Sequence, residues 1–199
     1  GGTVNWKTVP YCEIEENKIK SYILEDGDIV VARTGNSTGE NYCFESQESA
    51  VFASYLIRYK INKKIALPKF IWYQMRSNHW WGFINNIKSG SAQSGANAKS
   101  IATFKCQVPS ISVQKKIVFI LSTLDNKIEL NKKINQTLES IAQAIFKSWF
   151  VDFDPVHAKA NVNSEDEYDA IAKELGISRE ILDLFPSEFE ESELGLIPK

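Results

Sequence analysis

From Ser112 to Phe150 the chain contains neither Gly nor Pro. As one helix this run would extend about 57 Å, at 1.5 Å per residue. A small domain has no core of that length, so the run constrains the fold toward an arm or spacer that leaves a domain. Ile117, Leu124, Asn131, Leu138 and Ile145 recur every seven residues. Leu121, Ile128, Asn135, Ala142 and Trp149 follow them at four-residue offsets, which is the seam of a coiled coil. Ile120, Ile134 and Ile141 widen the stripe and imply more than one packing partner. Asn131 and Asn135 interrupt it. If buried, they fix register, because a misaligned partner leaves an amide unpaired. If the face turns away there, both are solvated; the spacing accommodates either.

The rest of the chain is strongly polarised in charge. Residues 1–110 carry thirteen Lys and Arg against nine Asp and Glu, residues 111–150 six against three, and residues 151–199 four against thirteen. Between Ser49 and Leu124 there is no acidic residue, while eleven Lys and Arg fall in that window. A long acid-free basic segment is the electrostatic footprint of a polyanion-binding surface, and nucleic acid is the favoured partner. No apolar run approaches the roughly 20 residues of a membrane span. Gly1-Gly2-Thr3-Val4 lacks the basic and apolar regions of a secretion signal. Cys12, Cys43 and Cys106 are odd in number and widely spaced, with only His79 and His157 to join them. That disfavours a disulfide framework or zinc site and points to reduced thiols in a cytoplasm.

The residues before the long run read as mixed strand and loop. Asp28 to Arg33, entered through Gly27, suits a buried strand. Thr34 to Gly39 is a turn-forming loop. Tyr55, Ile57, Tyr59 and Ile61 alternate with Leu56, Arg58 and Lys60, which predicts a strand with one wet face. Leu67-Pro68 opens a helix, and a second follows near Ser77-Asn78. Ser89 to Asn97 is a second polar loop, and Phe104 to Val108 is expected to return to the sheet. Beyond Pro155, Ser164 with Glu167 forms a capping-box pattern before a helix that Gly176 ends. Ser178 caps a shorter helix, and Glu188 to Glu193 reads as a solvated linker.

Catalytic chemistry is poorly provided for. Gly35-Asn36-Ser37-Thr38-Gly39 lacks the Lys of a phosphate-binding loop. Asp152-Phe153-Asp154-Pro155 has a spacing that can bind metal, but in its aromatic setting it reads as a helix stop with solvated or capping acids. It also lacks the paired prolines of the amino-methyltransferase catalytic loop. With two His residues and no Ser–His–Asp arrangement, the expectation is a non-catalytic chain with no metal site.

DNA reading is better served. Arg, Asn, Gln, Ser and Thr on loops match the donor and acceptor pattern of the major groove. Arg33, Thr34, Asn36, Ser37 and Thr38 make one candidate loop; Ser91, Gln93, Ser94, Asn97 and Lys99 make another, in which Gln93 is the preferred base reader. Turn chemistry alone explains many such residues, and Arg33 stands evenly between the two roles. Lys63, Lys64, Lys69, Arg76, Lys88 and Lys99 are candidates for phosphate contacts, some of them simply surface lysines. Trp72, Trp80 and Trp81 lie at helical spacing and are read as core. Phe146, Trp149, Phe150 and Phe153 can hold the long helix against a partner or pin it to the helices after Pro155.

Several segments resemble one family. Gln114-Lys115-Lys116-Ile117, Ile120 to Asn131, Ile134 to Glu139 and Phe146 to Val156 are similar to the central conserved region of type I restriction-modification specificity subunits. Leu184 to Lys199 resembles that family's lead-in to a following repeat. The Gly-Asp…Arg-Thr-Gly stretch ending at Gly35 and Gly90-Ser91-Ala92-Gln93 resemble patterns of its recognition domains. The resemblance implies an α+β chain in three parts. Residues 1–110 would form a target-recognition domain lacking its N-terminal part, 111–154 a long antiparallel coiled-coil spacer, and 155–199 short helices and an acidic linker. Ile117, Leu121, Leu124, Ile128, Asn131, Leu138, Ile145, Phe146, Trp149 and Phe150 would form the coiled-coil or partner surface.

Double-stranded DNA, modification subunits, restriction subunits and a second recognition half, in cis or as a homodimer, would be the partners. The chain itself would bind no cofactor, since S-adenosylmethionine, ATP and Mg²⁺ would belong to those subunits. Two departures stand out. Pro109 to Gln114 lacks the family's Glu before Gln, and Gly1 to Trp6 resembles a point already inside a recognition domain. The first implies a domain-to-helix joint that differs in detail; the second, with the lead-in standing at Leu194 to Lys199, implies a fragment of a larger protein or a half-subunit with permuted boundaries that dimerises. A DNA-binding regulator or structural adaptor that dimerises through its coiled coil is the alternative.

Overall fold

The computed structural model describes residues 4–45, 49–89, 96–162, 164–193 and 195–199. The fold is α+β, and the chain divides into two compact units, Gly1–Asp125 and Asn126–Lys199. The boundary falls inside the long helix.

In the first unit, a turn at Trp6–Thr8 and helix α1 (Glu16–Tyr22) precede an antiparallel sheet. Strand β1 (Ile29–Ala32) lies at its centre, between β2 (Asn41–Cys43) and β3 (Leu56–Tyr59). The pairing sets Val30 opposite Tyr42 and Arg58, and Val31 opposite Asn41 and Ile57. Alternation sends Ile29, Val31, Cys43, Ile57 and Tyr59 to one face, where they meet helices α2 (Pro68–Gln74), α3 (Asn78–Ser89) and α4 (Ala98–Ala102). Trp72, Met75, Trp80, Ile84 and Ile101 complete this core, which also buries the Cys43 thiol and pushes its pKa up to about 12. The opposite face of β1 and β3, with Val30, Ala32 and Leu56, borders an apolar cavity of about 780 Å³ beneath the N-terminal segment. The face predicted to be wet is therefore half-covered.

Two strand assignments differ from the sequence reading. Phe104 to Val108 forms no strand; Phe104 instead inserts between Trp80 and Phe83, with ring centroids 5.0 and 5.3 Å apart. Strand β2 was not foreseen, because three residues with Asn at one end leave no periodic apolar signal.

Helix α5 (Ile111–Phe150) is 40 residues long, about 60 Å at the standard rise. Its first turns are joined to the first unit by one amide. Gln114 is fully buried. Its Oε1 accepts from the Leu67 N–H at 2.8 Å, and its Nε2 donates to the carbonyls of Pro109 at 2.7 Å and Ile65 at 3.2 Å.

In the second unit, α5 stops where the Val151 and Asp152 N–H groups both bond the Lys147 carbonyl. Phe153 then takes a left-handed conformation, φ 54°, unusual for an aromatic residue and held by its ring contact with Phe189. Helix α6 (Asp154–Ala160) follows, with Pro155 in its first turn, then α7 (Glu165–Glu174) and α8 (Arg179–Asp183). The Ser164 and Ser178 hydroxyls accept from the Glu167 and Ile181 N–H groups, as the capping patterns predict. The stretch read as an acidic linker is instead half of a hairpin, β4 (Phe189–Ser192) with β5 (Gly195–Pro198). Phe189 stacks on His157 at 4.4 Å while Glu190 and Glu191 face solvent, so an apolar anchor organises a segment whose composition looks disordered.

Replacing Gln114 with Ala removes three part-buried hydrogen bonds to the backbone and should cost about 1–3 kcal/mol. Urea denaturation checks this, with Lys115→Ala on the exposed side of the same turn as a control expected to change little.

Candidate nucleic-acid interface

The first candidate loop leaves the end of β1 and is rigidly built. The Gly39 N–H bonds the Ala32 carbonyl at 2.8 Å, and the Ala32 N–H bonds the Glu40 carbonyl at 2.9 Å, closing the loop's neck. Inside it, the Thr38 hydroxyl donates to the Gly35 carbonyl at 2.8 Å. Thr38 is 1% exposed, which makes it a brace of the loop rather than part of its surface. Gly39 has φ 96°, and a Cβ there would lie 2.8 Å from Ile84 Cγ2. Its carbonyl accepts from the buried Trp80 indole N–H at 2.9 Å. The loop is thus fastened to α3 at the one point where only glycine fits.

What this frame presents is polar and open. Arg33, Thr34, Asn36 and Ser37 are all exposed. Among the described residues the Arg33 guanidinium has no hydrogen-bond or ion-pair partner, while its backbone is doubly held. The Arg33 N–H bonds the Tyr55 carbonyl at 3.1 Å, and its own carbonyl accepts from the Ala96 N–H at 2.9 Å. That last bond brings the two sequence-predicted loops together. Ser91, Gln93 and Ser94 lie outside the described residues. Asn97, just beyond them, caps α4 by accepting from the Ser100 N–H at 2.8 Å, and exposed Lys99 follows on the same helix. The Tyr59 hydroxyl ties this second segment back to the sheet through the Ala98 carbonyl at 2.9 Å. Arg33, Asn36, Ser37 and Lys99 form a cationic, donor-rich set on a fixed backbone, suited to base edges and phosphates.

The remaining cations are dispersed. Lys63 donates to the Asp26 carbonyl at 3.1 Å, before β1 begins, so Lys63 and its exposed neighbour Lys64 stand at the other end of that strand from the Arg33 loop. Lys88 is half-buried in the last turn of α3. Arg76 is engaged: its guanidinium lies 4.6 Å over Trp72 and bonds the Asp125 carboxylate at 3.1 Å. The Tyr73 hydroxyl donates to the same carboxylate oxygen at 2.8 Å; burial, then that bond, pushes its pKa up, so it stays a donor. Asp125 and Tyr73 were not singled out from sequence. Their signal is that Asp125 follows Gln114 by eleven residues, three helical turns, on the same helix face.

Along α5 the heptad seam divides. Ile117 and Leu121 are half-buried near the first unit's surface, between Gln114 and Asp125. Leu124, Ile128, Asn131, Leu138, Ile145, Phe146 and Phe150 are exposed, and Asn135 with them. Trp149 is half-buried against Phe185, ring centroids 5.3 Å apart, so it is used within the second unit. An apolar stripe this extensive on a solvated helix calls for a partner.

Among the described residues no group of His, Cys, Asp and Glu could hold a metal ion, and no helix is long and apolar enough to cross a membrane.

Residues 2–140 match the model of a family described as the type I restriction modification DNA specificity domain. The chain is 37% identical over 147 residues to the type I restriction enzyme HindI specificity subunit of Haemophilus influenzae, covering 71% of this chain and 32% of that protein. It is 32% identical over 95 residues to the MjaIX specificity subunit of Methanocaldococcus jannaschii, covering 48% of this chain and 22% of the relative. The MjaVIII specificity subunit of the same organism is 23% identical over 149 residues, 72% of this chain and 35% of its own length. The chain therefore spans about a third or less of these relatives.

The loop's fastening is testable. Gly39→Ala combines a left-handed φ with a clash and should destabilise the fold by about 2–4 kcal/mol, whereas Gly35→Ala meets only the φ cost of about 1–2 kcal/mol. Thermal unfolding of the two variants checks the order.

Proposed function

The chain belongs to the type I restriction-modification DNA specificity domain family, and from that premise we propose that it is a sequence-reading and scaffolding component of such a system. The observation that carries the reading is the exposed Arg33 side chain, without a partner among the described residues, on a loop held by the Gly39–Trp80 bond and by the Ala96–Arg33 bond. A preorganised donor fork loses little freedom on meeting a guanine edge, which is how an arginine discriminates between bases. Asn36 and Ser37 share that loop, Ser91, Gln93 and Asn97 belong to the adjoining one, and Lys99 supplies phosphate attraction. The acid-free window from Ser49 to Leu124 supports the same reading by lowering the repulsion of the DNA backbone.

The exposed stripe of α5 serves assembly in this reading. Leu124, Ile128, Leu138 and Ile145 pair with the helix of a second recognition half, in cis or in another copy of the chain, at a separation suited to half-sites roughly 34–36 Å apart. Phe146 and Phe150 extend the surface toward modification and restriction subunits. S-adenosylmethionine, ATP and Mg²⁺ act on those subunits, and this chain contributes no reacting group. The system works in the cytoplasm, in keeping with three free cysteines.

Two outcomes test this. On a duplex selected from a random pool, Arg33→Ala should weaken binding by about 1–3 kcal/mol relative to random DNA, while Lys99→Ala weakens both alike. Competition titration separates the two, and equal losses for Arg33→Ala would refute base reading. Leu124→Asp with Leu138→Asp should reduce the mass of the chain's assembly in light scattering; an unchanged mass with intact partner binding contradicts the seam.

A further inference from the structure

We propose that Asp125, gripped by Tyr73 and Arg76, is a positioning residue that sets the direction in which α5 leaves the DNA-reading unit and so limits the spacing accepted between half-sites. The inference rests on the function proposed above.

The geometry is that of a two-point mount. Gln114 fastens the first turns of α5 through three hydrogen bonds, but a single fastening near a helix end acts as a pivot. Asp125 supplies the second point eleven residues on, about 16 Å along the axis and on the same face. Its Oδ2 receives the Tyr73 hydroxyl at 2.8 Å and the Arg76 guanidinium at 3.1 Å. Both donors are themselves held: Tyr73 sits in α2 with its ring 5.0 Å from Trp72, and Arg76 lies over Trp72 at 4.6 Å. Asp125 ends the acid-free window, the first carboxylate after Ser49.

Stability gives little reason for this arrangement. Asp125 is mid-helix, far from either end's dipole, and a partly solvated ion pair contributes little to folding. Its three-way geometry instead removes a rotation that Gln114 leaves open. From Asn126 the helix runs a further 25 residues to Phe150. A swing of roughly 5° about the Gln114 mount would carry the far end, about 54 Å away, by about 5 Å, more than one base-pair step. A loose mount therefore translates into a loose ruler, with the base-reading loop untouched.

The test is a binding selection with the 199-residue chain, using a double-stranded pool in which two half-sites are separated by random spacers of varied length. Wild type should favour one spacer over those a base pair longer or shorter by about tenfold or more. Asp125→Ala should enrich the same half-site sequences with the preference reduced below about threefold. Tyr73→Phe, which removes one hydroxyl and keeps the packed ring, should fall between them, and Asp125→Glu should restore part of the preference. Variants as strict as wild type would overturn the proposal while leaving DNA reading intact. Loss of the half-site sequences along with the spacing would make Asp125 merely structural and overturn it as well. If wild type enriches no sequence, or only a lone half-site, the functional reading beneath it fails.

Discussion

One buried amide governs how the two kinds of structure in this chain are joined. A fully buried carboxamide carries a desolvation cost that only its complete set of hydrogen bonds repays. Gln114 meets that condition with the Leu67 N–H and the Pro109 and Ile65 carbonyls, groups that no strand or helix would otherwise satisfy. The segment before α2, the approach to α5 and the first turn of α5 are thereby locked to one another. A helix whose remaining surface is largely solvated acquires a defined origin. Without that origin, a 40-residue helix would be an unspecific arm.

The same economy appears at the candidate interface. Gly39 has two demands on its backbone, a positive φ and room for Ile84, and its carbonyl also receives the Trp80 indole. These hold the loop without engaging the side chains at its tip. Arg33 is fixed through its main chain, while its guanidinium is exposed and has no partner among the described residues, the division of labour a recognition loop needs. Arg76 shows the contrary case. Composition marks it as a phosphate ligand, but its guanidinium is committed to Trp72 and Asp125. Counting cations in a basic window therefore overstates how many are available to DNA.

Much of this architecture could be read from residue order. The long helix, the β1 strand, the Pro68 helix start and the serine caps all follow from local chemistry, because each is decided within a few residues. What could not be read depends on tertiary placement. Strand β2 is three residues long and exists because β1 offers it a partner. The β4–β5 hairpin is built from glutamates, and its apolar anchor Phe189 finds its place only against His157. Phe104 prefers an aromatic slot to a sheet edge. In the heptad pattern, Ile117, Leu121 and Trp149 share the periodicity of Leu124 and Leu138, yet they are half-buried within their own units. Periodicity identifies a face but does not say what covers it. The Arg33 loop was visible as a motif, whereas its bond to Ala96, and the inward turn of Thr38, required the fold.

In the proposed function, the loop after β1 meets base edges. A photocrosslinking amino acid at Ser37, on the exposed rim beside Arg33, tests it directly on a duplex selected by the intact chain. Crosslinks to bases at one fixed position of that duplex, lost on random DNA, are expected. Crosslinks no stronger than those from a site on the solvated side of α5, such as Ser140, or equal yields on selected and random DNA, would contradict it.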